Sequence, residues 1–359
     1  MSRSPILSAG LFLSFALAVA PAVTPPAAAP ATPFELGGAV APAGPIDDLI
    51  FARLAELGLS PAPLCSDAVF VRRAFLDVIG TLPTMAETRQ FLQNQDAAKR
   101  RVLIDQLLAR AEFADYWSMK WSDLLRVKAE FPVNLWPNAA QAYHRWIQTA
   151  VRENLPYDQF ARTLLTASGS NFRVGPVNFY RALPGREPAA IARAVALTLM
   201  GTRAEHWAPQ QLDGMAMFFR YLGYKETGEW KEEIVFFNPA LFPAGGRAAA
   251  IFPDRTLAHL TPERDPREVF ADWLIQPTNP WFTRAIANRV WSWLLGRGLV
   301  HEADDLRPDN PPGNPALLAH LEAELVARRY DLKALHRLIL NSQTYQLSSM
   351  PRFNSPAAA

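Results

Sequence analysis

Residues 279–318 read NPWFTRAIANRVWSWLLGRGLVHEADDLRPDNPPGNPALL, and residues 331–349 read DLKALHRLILNSQTYQLSS. With a lead-in from Asp265 they spell helix, polar loop, helix and helix, and nearly every junction carries its own signal. Asp265-Pro266-Arg267-Glu268 has the form of a capping box, an N-cap acceptor followed three residues on by a carboxylate that can return the bond. Asn279-Pro280 and Asn314-Pro315 each set an N-cap side chain before a proline, whose locked φ and missing N–H suit the first helical position. Gly296-Arg297-Gly298 reads as a helix stop, with glycine supplying the left-handed conformation. Residues 302–314 form a loop rich in charge, proline and asparagine. A polar loop held between aromatic-rich helices is where function is expected.

That loop packs Asp304, Asp305, Arg307, Asp309 and Asn310 close behind His301-Glu302. Two readings follow. Asp304, Asp305 and Asp309 have the oxygen donors that a calcium ion takes, and carboxylates so close could also serve as acid and base. Alternatively the acidic side chains are structural and pair with Arg289 or Arg297 of the preceding helix, as ion-pair networks commonly do. The spacing lacks the sixth-position glycine and distant glutamate of an EF-hand. Asn288 and Arg289 fall mid-helix, near the edge of an apolar stripe of Ile286, Val290, Trp293 and Leu294. A guanidinium there needs a carboxylate, and Asp304 or Asp305 is nearest in sequence. The functional alternative is that Arg289 clamps a ligand carboxylate or phosphate.

Working outward, the N-terminal half repeats the helical pattern. Apolar residues recur at helical spacing over 46–57, 67–79, 96–109, 113–127, 136–153, 157–168 and 187–200, and Thr84 with Glu87 forms a capping box for a further helix. Residues 230–237 and 248–252 are weaker, β-compatible runs among prolines and glycines. The expected fold is mainly α: two helical blocks joined by an irregular segment with room for a small β-hairpin. The reading divides the chain into a signal peptide (1–22), a Pro/Ala-rich linker (23–44), an N-terminal helical domain (45–224), an irregular or β connector (225–261), a C-terminal helical domain (262–350) and a disordered tail (351–359).

Half of the 359 residues are hydrophobic and the net charge is +2 with signs interspersed, which favours a globular chain and gives no basic stripe for nucleic acid. Arg3, an apolar run over 6–19 and Ala20-Pro21-Ala22 form a secretory signal pattern, so export to the periplasm or the extracellular space is expected. No later run approaches a membrane span. Cys65 is the only cysteine. It excludes an intramolecular disulfide, a thiolate zinc cluster and a haem bound through Cys-x-x-Cys-His. Neither a paired-histidine zinc motif nor a nucleophile elbow nor a phosphate loop occurs.

Several phrases together carry a resemblance. They are Asn279-Pro280, Asn288-Arg289-Val290-Trp291, Gly296-Arg297-Gly298, Asp304-Asp305 with Arg307, Asn310-Pro311-Pro312, Asn314-Pro315, Asp331-Leu332-Lys333 and Asn341-Ser342 with Thr344-Tyr345. In the N-terminal half, RRAFLDVIGTLPT, FADYWSMKWSDLLR and NLPYDQFARTLLTASGS add to them. The chain resembles exported, cytochrome-c-associated proteins of planctomycete-type bacteria that pair the domain-of-unknown-function families 1549 and 1553. Many such proteins carry Cys-x-x-Cys-His after the 187–200 helix. This chain has GTRAEHWAPQQLDGMAMFFR there, which the resemblance marks as a lost haem-type site with Glu205 and His206 as its remnant. The resemblance names no reaction. The expectation leans away from an enzyme, toward a haem-less binding or scaffold protein that acts with another exported protein or an envelope polymer. The alternatives are a polysaccharide hydrolase using carboxylates of the 302–309 loop and an electron carrier with non-covalent haem.

Overall fold

The computed structural model describes residues 33–350, apart from 131, 132 and 134. The expected signal peptide, the first part of the linker and the C-terminal tail lie outside the described residues. Residues 34–36, within that linker, lie against 64–66, with Glu35 bridged to Cys65.

Among the described residues, ten α-helices and one short strand precede the first hairpin. They are α1 (Pro45–Glu56), α2 (Asp67–Ile79), α3 (Met85–Gln93), α4 (Lys99–Ala109), α5 (Ala111–Leu124), α6 (Pro137–Arg152), α7 (Tyr157–Thr166), β1 (Gly169–Ser170), α8 (Asn178–Arg181), α9 (Pro188–Met200) and α10 (Pro209–Ala216). The Thr84–Glu87 capping box closes in both directions. The helix expected from 96 starts at Lys99, because the Asp96 carboxylate accepts from the Ala98 N–H and holds a turn there.

The connector holds β2 (Leu222–Glu226), β3 (Glu233–Phe237), β4 (Ala248–Ile251) and β5 (Leu257–Leu260). The two runs read as strands become β3 and β4, but they do not pair with each other. β3 lies between β1 and β2, antiparallel to both, while β4 pairs with β5. The tight turns at 227–232 and 252–256 give each run a nearer partner, and short closures cost less chain entropy. Trp230 sits in the first of these turns and is 71% exposed.

The C-terminal block is α11 (Pro266–Leu274), α12 (Phe282–Leu295), α13 (Pro315–Ala327), α14 (Leu332–Leu340) and α15 (Gln343–Gln346). Asp265 caps α11 by accepting from the Arg267 N–H, while Glu268 faces Arg264 at 3.7 Å instead of completing the box. Asn314, Asp331 and Ser342 cap the next three helices. Asn279 accepts from the N–H groups of both Trp281 and Phe282, so α12 begins two residues later than its proline suggests.

Helix α12 is the axis of the molecule. It packs against α9, α13 and α14, and its residues from Ala285 to Trp291 are all buried. A helix surrounded on every side shows no single apolar stripe. Arg289, expected at the edge of a buried face, is therefore fully inside. The two helical blocks share one hydrophobic core. Trp293 of α12 meets Trp117 and Trp121 of α5 at 5.4 and 5.9 Å, and Phe282 stacks on Tyr157 at 4.7 Å. Buried Asp47 of α1 accepts from the N–H groups of Gln343 and Thr344 and from the Thr344 hydroxyl, joining opposite ends of the chain.

Candidate functional site

The acidic loop has an inner and an outer side. On the inner side, Arg289 reaches one Asp304 oxygen through Nε (2.7 Å) and Nη2 (2.6 Å). Its remaining N–H groups donate to the carbonyls of Thr198 (2.6 Å) and Leu197 (2.8 Å), in the last turn of α9. Carbonyls at a helix C-terminus lack intrahelical partners and carry the negative end of the dipole, so a cation suits them. Beside this pair the Tyr157 hydroxyl is buried, and burial pushes its pKa well up. Asn288 closes the neck of the loop. It accepts from the Val300 N–H at 2.9 Å and donates to the carbonyls of Val300 and Ala303.

The outer side holds Asp305, Arg307 and Asp309. Arg307 bridges both carboxylates at 3.0 Å, and Asn310 ties the loop together through the carbonyls of His301 and Asp305. Asp304, Asp305 and Asp309 thus each face a guanidinium. No three His, Cys, Asp or Glu side chains converge as a metal site among the described residues. Arg297 and Glu302 stand apart from this network. Both are exposed, and Glu302 lies 3.9 Å from His301. Arg297 lines a smaller hollow of about 440 Å³ with His301 and Arg53.

Asp305, Arg307, Asp309 and Asn310 form one wall of a cleft of about 920 Å³. The segment after α9, hydrogen-bonded to the loop through the Gly201 carbonyl and the Leu306 N–H, adds Arg203, His206 and Trp207. The β4–β5 turn adds Asp254 and Arg255, and the start of α12 adds Trp281 and Arg284. The exposed remnant residue Glu205 is not part of this lining. Gly201 brings these parts together. It ends α9 at φ +60°, its carbonyl accepts from the Leu306 N–H, and a Cβ there would stand 3.0 Å from Ala285 and 3.3 Å from Leu306. The β4–β5 turn is equally held. Asp254 accepts from the Thr256 N–H and hydroxyl and from the Trp273 indole, fixing Arg255 at φ +71°. Burial opposes the charge on Asp254, but these hydrogen bonds outweigh it and hold the carboxyl below its usual range.

Segment 45–207 matches the family described as PSCyt2, Protein of unknown function (DUF1549), and segment 266–358 matches PSD1, Protein of unknown function (DUF1553). The chain combines these two families. No curated protein and no solved structure matches it. The cleft gives the combination a physical sense, because its walls come from the end of the DUF1549 segment, the connector and the DUF1553 segment. Sequence reasoning reached Asp305, Arg307, Asp309, Asn310 and His206 but missed Arg203, Trp207, Arg255, Trp281 and Arg284 as site residues. These come from three separated stretches with no shared spacing. The one local signal was the Pro253-Asp254-Arg255 turn.

Proposed function

We propose that this chain is an exported binding or scaffold protein without covalent haem, and that an envelope polymer enters the cleft. Export rests on the basic residue and apolar run of 3–19. The observation that carries the binding role is a cleft of about 920 Å³ at the meeting of the two family segments, with aromatic side chains and guanidinium groups along it. Junctions of this kind are common ligand sites. Of the two partner classes left open by the sequence, a polymer suits a groove better than a second protein does. A protein partner needs a broad surface, about 800 Å² on each side.

The hydrolase alternative needs two carboxyl groups free to flank a scissile bond. In the acidic loop Asp304, Asp305 and Asp309 are held by guanidinium groups, and Glu302 is not in the cleft wall. Electron transfer needs an axial ligand, and His206 is the single imidazole of the lining. The test is co-sedimentation of the native, processed protein with isolated envelope polymer. Wild type is expected in the pellet, with its N-terminus between Val23 and Pro33. Ala208→Trp, which fills the cleft from an exposed position, is expected to stay in solution. Equal sedimentation of both proteins would end the cleft reading, an unprocessed N-terminus would end export, and a Soret band would favour electron transfer.

A further inference from the structure

The cleft lining contains four arginines and three aspartates, and they differ in what they have left to offer. All three carboxylates are already supplied with donors, Asp254 by Thr256 and Trp273, and Asp305 and Asp309 by Arg307. Arg284 is paired with Glu322 at 2.8 Å. Arg203 and Arg255 are exposed and make no side-chain contact with any described carboxylate or carbonyl. The charge without a partner in the cleft is therefore positive, and it sits on two planar forks. Each fork matches a carboxylate in bidentate fashion.

The same cleft is lined by half-buried Trp207 and Trp281 and by the prolines of the loop. Both indoles are braced against the core. Flat aromatic faces suit the C–H faces of sugar rings, and a compact phosphate would leave this apolar wall unused. Building on the binding role proposed above, we infer that the ligand is an acidic polysaccharide. Its carboxylates pair with Arg203 and Arg255, and its rings lie on Trp207 and Trp281. The volume is near the upper end of small-molecule sites, about 300–1,000 Å³, which leaves room for more than one ring.

The probe is oligogalacturonate, titrated calorimetrically into the full chain, with neutral dextran oligomers and inorganic polyphosphate as comparison ligands. Oligogalacturonate is expected to bind one to one and to weaken as salt rises, while dextran shows no heat. Arg203→Gln and Arg255→Gln are each expected to weaken binding about tenfold, the scale of one lost charged hydrogen-bond pair. Neither side chain supports the fold, so unchanged thermal melts are expected and separate binding from folding. Undiminished binding by both variants would overturn the assignment. So would equal binding of dextran, or tighter binding of polyphosphate. If oligogalacturonate fails to bind while wild type, but not Ala208→Trp, still sediments with envelope polymer, the ligand class is wrong and the binding role stands. If sedimentation fails as well, the binding role falls with it.

Discussion

Arg289 and Arg307 both hold carboxylates of the same acidic loop, one from the core and one from the cleft. Arg289 is 2% exposed and spends its donors on Asp304 and on two carbonyls at the end of α9. Arg307 is 44% exposed between Asp305 and Asp309. The residue types match, but the dielectric around them does not. A buried pair that loses one partner leaves an uncompensated charge out of water, whereas an exposed pair exchanges its partner for solvent. Arg267 repeats the inner pattern. It is 1% exposed, holds Asp265, and donates to the Ala167 carbonyl at the end of α7. Two arginines of the DUF1553 segment thus finish two helices of the DUF1549 segment. Charge inside this molecule joins the blocks, while on the cleft Arg203 and Arg255 are left without a partner among the described residues.

The comparison breaks most visibly at Arg289. Arg289→Ala should cost about 3–5 kcal/mol, because Asp304 and two helix-end carbonyls lose their donor together. Chemical denaturation of the variant beside wild type measures it, and a loss below about 1 kcal/mol, the range of exposed pairs, would erase the distinction between the two sides. An intermediate effect is expected at Asn288, a neutral group in the same buried neck. Asn288→Ala strands the Val300 N–H and should cost about 1–3 kcal/mol. Amide hydrogen exchange at Val300 reports it directly. Protection equal to wild type would mean that the neck holds without that side chain. The smallest effect belongs to Arg307. Arg307→Ala should shift stability by about 1 kcal/mol at most. A melt as damaged as that of Arg289→Ala would mean that the cleft wall, too, is structural.

Much of the helical fold was legible because helices advertise themselves locally. The capping box at Thr84, the Asn314 cap and the left-handed Gly296 act within a turn of sequence, so one stretch contains the whole signal. Strand pairing was not legible to that depth. β1 is two residues long, and its partner β3 lies more than sixty residues away. Nothing in either run specifies the other.

The candidate site divides along the same line. The order of residues in 279–314 determined by itself that a polar, proline-stiffened loop would follow an aromatic helix carrying Asn288 and Arg289. It also made Asp304 and Asp305 the nearest carboxylates in sequence to Arg289. Only the tertiary structure decided between them, since the choice depends on which way the loop turns over α9, and Gly201 and Leu306 set that turn. The cleft belongs wholly to the tertiary structure. Arg203, Arg255 and Trp281 lie on separate elements, and they become neighbours because the chain packs α9, the β4–β5 turn and the acidic loop around α12, which is buried from Ala285 to Trp291. Side-chain chemistry is written residue by residue, but the concavity that lets such groups act together exists once a shared core has been packed.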